Sequence, residues 1–290
     1  MKVVVTGATG QIGLATIARL ATEGHDVQAI ALRKPRVLEQ LPDGIDAVVH
    51  LGGQTNAYVA RADISTDIRD SVVPFVDLLA KLGNARQPPL VILAGTLTQS
   101  ANEQKYAPTT FYDVAKNASQ MYLEQACEEG WVRGLTLRLS NVYGGCTTDL
   151  HSSPRGFLNL CIAGALAGES ITIYGDGSQL RDYLHVDDVA ELITMAVNSR
   201  SNAQTCASYE VGSGHSTTLI GAVELVVELV NDQTGHRAPI QHQSWPPQAY
   251  AIESRSALVN PQAVRTAYGW RPEIDLTRGI IRTIQAYQAK

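Results

Sequence analysis

Hydrophobic and polar positions divide the chain into two rhythms. In the first half, short apolar runs rich in β-branched residues alternate with longer segments of helical period. Val3-Val4-Val5 reads as a buried strand, followed by a helix over 11–23 with Ile12, Ala15 and Leu20 on its apolar stripe. Residues 27–32 and 47–51 read as further strands, and a long helix follows over 64–82. Pro88-Pro89 leads into a strand at 90–94, a helix over 112–129 stops at Gly130, and 135–139 is again a strand. Strands separated by helices predict parallel βαβ units in a doubly wound sheet, an α/β fold.

Past Asn141 the rhythm changes. Glycine, proline and polar residues punctuate 144–155, and helices are expected over 157–167, 187–198 and 219–230, with Asp187 or Asp188 capping the second. Residues 244–255, which contain Pro246-Pro247, read as a loop, and two helical stretches follow Pro261 and Leu276. No repeat or low-complexity linker separates the halves.

Composition narrows the class. Hydrophobic residues make up 44% and charged residues 18% of the 290, which fits a soluble globular protein of roughly two domain-sized units. The net charge of −5 argues against a nucleic-acid footprint. No apolar run approaches the roughly 18 residues of a membrane span, and the opening run is too short for a secretory h-region. Cys127, Cys146, Cys161 and Cys206 form no CxxC pair, so neither a metal site nor a disulfide scaffold is expected. The expected setting is cytoplasmic.

The candidate chemistry begins at Thr6-Gly7-Ala8-Thr9-Gly10-Gln11-Ile12-Gly13, a GxxGxxG turn between the first strand and the first helix. Gly7 permits a tight turn, Gly10 lets backbone approach a pyrophosphate, and Gly13 lets helix and strand pack closely. The helix N-terminus, with Gln11 and Ile12 in its first turn, offers N–H groups and positive partial charge to phosphates. Dinucleotide enzymes that prefer NAD place an acid at the end of the second strand. Here the residues are Arg33-Lys34, with Arg36 nearby, so NADP(H) is the expected cofactor and NAD(H) the alternative. Tyr112 and Lys116 stand i, i+4 on one helix face, where an ammonium would lower the phenol's pKa and make it a proton donor or acceptor.

Taken together, the glycine turn, the Tyr-x-x-x-Lys pair and several further segments make the chain resemble the extended short-chain dehydrogenase/reductase family. Those segments include His50-Leu51-Gly52-Gly53, similar to the family's turn under the nicotinamide, and Arg138-Leu139-Ser140-Asn141-Val142-Tyr143-Gly144. The most specific is the stretch over 173–190, which holds Arg181-Asp182-Tyr183, and Tyr268-Gly269-Trp270 with Pro272 also fits. The resemblance implies a Rossmann-type dinucleotide-binding domain over 1–143 and a smaller α/β region over 144–290 that binds mainly substrate. Part of that region, about 182–215, returns to the first sheet. Residues 34–45 are too few for the strand and helix that relatives fit there, so that unit is expected to be trimmed.

The same resemblance supplies the site. Thr96, Tyr112 and Lys116 would be catalytic, with Leu51 and Gly52 beside the cofactor. Thr98, Asn141, Arg181 and Arg255 would meet a nucleotide-diphosphate sugar, and a homodimer through two helices of the first domain is among the expectations. Leu97 and Thr98 follow Thr96 where sugar dehydratases carry an acidic pair. The favoured activity is therefore NADPH-dependent reduction of the C4 ketone of a nucleotide-linked 4-keto-6-deoxy sugar. A nucleotide-sugar 4-epimerase holding NAD and a non-catalytic dinucleotide sensor remain as alternatives.

Overall fold

Val3, Val4 and Val5 lie in β1 (Lys2–Thr6), and none of the three is exposed. A strand buried on both faces belongs in the middle of a parallel sheet. In the computed structural model, which describes residues 1–32, 37–100, 105–145, 156–199 and 206–289, α1 (Gln11–Thr22) leads to β2 (Asp26–Ile30). β1 pairs in parallel with β2 on one side and with β3 (Ala47–His50) on the other. The chain then passes through α2 (Ala57–Ala62), α3 (Ile64–Asp67) and α4 (Val73–Leu82) to β4 (Leu90–Thr96). It continues through α5 (Phe111–Glu128) to β5 (Arg133–Leu139).

Next come β6 (Asn141–Tyr143), α6 (Phe157–Leu166), β7 (Ile171–Tyr174), β8 (Leu180–His185), α7 (Val186–Asn198) and β9 (Cys206–Val211). The remainder is β10 (Ser216–Thr218), α8 (Leu219–Thr234), β11 (Ile240–Gln243), α9 (Ala251–Ser254), α10 (Gln262–Tyr268) and α11 (Leu276–Gln288).

The chain divides into two compact units. The first comprises Met1–Leu139, Ala190–Val211 and Gln262–Trp270; the second comprises Ser140–Val189, Gly212–Pro261 and Arg271–Lys290. The first unit holds a six-stranded, all-parallel sheet in the order β2-β1-β3-β4-β5-β9, a Rossmann-like arrangement. Strand order reverses at β1, between β2 and β3, which is where such sheets open a crevice for ligands beyond the carboxyl ends of their strands. Val4, Val48, Val91, Leu93, Phe75, Leu78 and Leu123 belong to its core. The second unit has two smaller sheets, β10-β8-β6 and β11-β7, and a core that includes Tyr143, Ile162, Val223, Val226, Ile280 and Ile284.

The elements depart from the sequence pattern in informative places. The helix expected over 64–82 is α3, a π-helical turn at Ile68–Val72, and α4. Pro74 has no N–H for the carbonyl one turn earlier, and the helix widens immediately before it. α2 was not expected; Asn56 caps it, its Oδ1 accepting from the Tyr58 and Val59 N–H groups at 2.8 and 3.3 Å. α8 runs a turn further than its apolar face suggests and stops at Gly235, whose φ of 71° a side chain would disfavour. The expected loop over 244–255 contains the single turn α9. Asp188, expected to cap α7, lies in that helix's first turn. Its carboxylate accepts from the Glu273 and Ile274 N–H groups at 2.9 and 3.2 Å, bracing the segment before α11. Among the described residues no strand lies outside β2, and only a 3-10 turn at Val37–Gln40 intervenes before β3.

Candidate active site

The turn from β1 into α1 is held by contacts that leave no room for side chains. Gly7 has φ of +68°, and a Cβ there would stand 2.6 Å from the carbonyl of Leu51. A Cβ on Gly13 would stand 2.3 Å from the Gly7 oxygen, and one on Gly10 would stand 3.3 Å from it. The Gly10 N–H donates to that same oxygen at 3.0 Å. Gly10 is the N-cap of α1, no side chain caps the helix, and no acid stands in its first turn, which Gln11 and Ile12 begin. A helix start left uncapped, beside a flat glycine turn, fits the pyrophosphate of a dinucleotide.

β3 ends beside this turn. The Leu51 N–H donates to the Thr6 carbonyl at 3.2 Å, and Gly52 follows. His50 is buried; its ring stacks on Phe75 with centroids 4.5 Å apart, and its Nδ1 shares a 2.8 Å hydrogen bond with the Thr6 hydroxyl. Burial, helped by the charge of Lys116, lowers the imidazole pKa to about 3, so His50 is neutral.

Thr96 ends β4 and caps the 3-10 turn Leu97–Gln99. Its N–H donates to Gln99 Oε1 at 2.6 Å. Gln99 is buried and donates in turn to Asn117 and Gln120, and Gln120 accepts from Arg138 at 3.0 and 3.1 Å. This buried ladder fixes the backbone of Thr96.

α5 starts at a capping box in which Thr110 and Asp113 satisfy each other's N–H groups. The box sets Tyr112 and Lys116 one turn apart, facing the end of β4. Thr96 stands close enough to the Tyr112 phenol to favour its ionised form. Lys116 Nζ donates to the Ala94 carbonyl at 3.1 Å and stands 5.9 Å from the Tyr112 ring centre. A small cavity beside these groups is also lined by His50, Gly52, Asp67 and Ser71.

The expected electrostatic effect of Lys116 on Tyr112 is not what the fold produces. Burial raises the phenol's pKa above its ordinary value, the charge of Asp113 raises it further, and the nearby Thr96 hydroxyl opposes both. Burial also lowers Lys116 to about 8, with the Asp67 carboxylate acting against the shift. The ammonium is spent on Ala94 and loses hydration itself, so desolvation outweighs attraction.

Thr98 lies in the same unit, with its hydroxyl donating to Asp113. Asn141, Arg181 and Arg255 lie in the second unit. Asn141 is exposed, and its Nδ2 donates to the Asp182 carbonyl at 3.1 Å. Arg181 is half-buried and donates through Nη2 to the Glu253 carbonyl at 2.6 Å and through Nη1 to the Arg255 carbonyl. The Arg33-Lys34-Arg36 cluster lies outside the described residues. Sequence reasoning passed over Asp113 and Asp67. The Thr-x-x-Asp spacing of a capping box marks the first, whereas Asp67 lines the cavity from the end of α3, a placement with no spacing signature in the sequence.

An uncapped glycine turn at the strand switch point stands next to Thr96, Tyr112 and Lys116 at the end of β4, on a Rossmann-like sheet. The chain belongs to the NAD dependent epimerase/dehydratase family, whose description matches residues 3–212 and whose members are NAD-dependent enzymes of nucleotide sugars. It is similar to the UDP-glucose 4-epimerase of Mycolicibacterium smegmatis, at 26% identity over all of this chain and 99% of that one. It is also similar to an Escherichia coli dTDP-glucose 4,6-dehydratase, at 27% identity over 71% of this chain; the match spans only 55% of that enzyme. The fold is shared with the UDP-glucose 4-epimerase of Thermotoga maritima, solved with UDP-glucose, at TM-score 0.82, 21% identity and coverage of 100% and 99% of the two chains. The Thermus thermophilus UDP-glucose 4-epimerase, solved with NAD, gives TM-score 0.80 and 22% identity over 99% of each chain. Among the described residues no helix is long and apolar enough to cross a membrane.

Proposed function

We propose that the protein reduces the C4 ketone of a nucleotide-diphosphate 4-keto-6-deoxy sugar, using a nicotinamide dinucleotide as reductant. The observation that carries this reading is the cluster at the end of β4, where Tyr112 lies beside Thr96 and one helical turn from Lys116, whose Nζ donates to the Ala94 carbonyl. When bound, the nicotinamide supplies the hydride. Gly7, Gly10, Gln11, Ile12 and Gly13 would hold the pyrophosphate, with Leu51 and Gly52 beside the nicotinamide and Lys116 oriented to its ribose. Tyr112 gives its proton to the oxygen that becomes the C4 alcohol, and the Thr96 hydroxyl stabilises that same oxygen.

Two observations favour reduction over the family's other chemistries. Elimination of water needs an acid and a base that can reach the sugar. Position 97 is leucine, and the nearby Asp113 carboxylate is unexposed with its oxygens taken by Thr98, Thr109 and Thr110. A reductase must also exchange its dinucleotide at every turnover. Among the described residues only the 3-10 turn at Val37–Gln40 stands between β2 and β3, a short passage that suits a dinucleotide which comes and goes. The Arg33-Lys34-Arg36 sequence supports NADP(H). Arg181, Asn141 and Arg255 of the second unit are assigned to the substrate's diphosphate, for which arginine's permanently charged fork is suited.

The second reading is a nucleotide-sugar 4-epimerase with bound NAD, supported by the full-length similarity to UDP-glucose 4-epimerase and by the NAD in the Thermus structure. A non-catalytic sensor would have no use for the Tyr112–Lys116 pair. A second copy of the chain is the proposed partner. Phe111, Val114, Met121 and Tyr122 of α5 are 43%, 50%, 55% and 51% exposed and form an apolar stripe of helical period.

Incubation with NADPH or NADH and a panel of 4-keto-6-deoxy sugar nucleotides tests the reading, followed by loss of nicotinamide absorbance and product NMR. Stoichiometric oxidation with formation of a C4 alcohol is expected. Interconversion of C4 epimers without added dinucleotide would replace it with the second reading.

A further inference from the structure

We propose that Cys127 and Cys206 form a two-thiol oxidation site, at which a peroxide converts the pair reversibly into a disulfide within the chain. The site lies in the first unit and is independent of the sugar chemistry proposed above.

The two cysteines are far apart in the sequence and meet at Gly134. Cys127 sits in the last turn of α5 and is buried. Cys206 is half-buried, opens β9 and stands opposite Gly134 of β5 in the parallel ladder. β9 is an end strand of the six-stranded sheet. Gly134 lies within β5, where a glycine loses packing and backbone entropy. The sulfurs account for it. A Cβ at this position would stand 2.6 Å from Cys127 Sγ and 3.2 Å from Cys206 Sγ. Both sulfurs therefore crowd the space that one side chain would fill. Cys206 packs on the same core cluster that contains Cys127, Leu123 and Val132. Both cysteines are free thiols.

Their surroundings give the two thiols different parts. Cys127 stands close enough to Cys206 to favour the Cys206 thiolate, and the charge of Lys105 acts in the same direction against burial and against Glu124 and Glu128. The same contact, together with burial, holds Cys127 as a thiol. The thiolate is the nucleophile, and Cys206 is also the less buried of the two, so it reacts first. Its sulfur attacks one oxygen of hydrogen peroxide and the O–O bond breaks. The leaving hydroxide takes up the proton that Cys206 had released and departs as water, and Cys206 is left as a sulfenic acid. The Cys127 sulfur then attacks the Cys206 sulfur. The S–S bond forms as the S–O bond breaks, and the Cys127 proton leaves with that oxygen as a second water. The two sulfurs lose two electrons and the peroxide gains them. A dithiol reverses the bond by exchange.

Hydrogen peroxide is the probe. The whole folded chain is treated with a small molar excess, remaining thiols are blocked with iodoacetamide, and the intact mass and a proteolytic map are read. The expected result is the loss of two hydrogen masses, a peptide linking Cys127 to Cys206, and full recovery of both thiols with dithiothreitol. In Cys127→Ser the second step has no partner, so dimedone should trap a Cys206 sulfenic acid. In Cys206→Ser, Cys127 should stay unoxidised. Sulfinic acid on Cys206 beside a free Cys127, a disulfide to any other cysteine within or between chains, or unreacted thiols in the folded protein would each overturn the proposal. The unmodified chain alone decides between these outcomes, so a variant that misfolds leaves the test intact.

Discussion

A methyl group on Gly13 would stand 2.3 Å from the carbonyl oxygen of Gly7. The first turn of α1 and the turn out of β1 are thus locked together, and β3 closes the other side of Gly7. Gly13→Ala must push α1 away, at a cost of about 1–3 kcal/mol as for other overpacked positions. Thermal denaturation should show that loss. Fluorescence titration with NADPH and NADH should show dinucleotide affinity falling at least about tenfold, the equivalent of 1.4 kcal/mol. Unchanged affinity in a stable Gly13→Ala protein would contradict the assignment of this turn to the pyrophosphate.

Tyr112→Phe removes one hydroxyl from a packed site. If that hydroxyl gives the proton to the sugar, kcat falls by roughly 10²–10⁴-fold, the usual worth of a positioned proton donor. Dinucleotide affinity should stay close to that of the unmodified chain, because the pyrophosphate turn is untouched. Steady-state kinetics and titration on one preparation read both, and full turnover in Tyr112→Phe would remove Tyr112 as the proton donor.

His50 links pH to stability. Its folded pKa of about 3 lies below the ordinary 6.5, so between these values the unfolded chain takes up a proton that the folded chain refuses. Its effect is absent above pH 6.5 and costs the folded state progressively more as pH falls toward 3. Urea midpoints measured from pH 7 to pH 4 should therefore fall less steeply in His50→Gln than in the unmodified chain. Parallel slopes would show that the ring is free to charge in place.

The apolar stripe on α5 gives the proposed dimer a direct test. Met121→Glu places a charge at its most exposed member, 55% accessible. Light scattering on the unmodified chain should return twice the chain mass, and on Met121→Glu the mass of a single chain. Equal masses for the two proteins would remove this face as the interface.

By itself, the sequence determined the Rossmann-like alternation and much of the first unit's local structure. Valine runs such as Val3-Val4-Val5 have one good place in a parallel sheet, and Gly7, Gly10 and Gly13 mark a turn whose tightness is local. The i, i+4 spacing likewise put Tyr112 and Lys116 on one face before any fold was known. Tertiary structure decided the rest. Pro74 reads only as a disfavoured helix residue, but its effect, a π-helical turn carrying Ser71 beside Asp67, depends on what the helix packs against. The fold turned Lys116 toward Ala94 and left Tyr112 with a raised pKa, because desolvation depends on the packing around a group and not on its neighbours in the chain. Asp113 is adjacent to Tyr112 in sequence, yet its partner Thr98 comes from the end of β4. Only the meeting of that strand end with the α5 capping box joins the Thr98 hydroxyl to Asp113, since contacts between elements are set by distances that chain order does not specify.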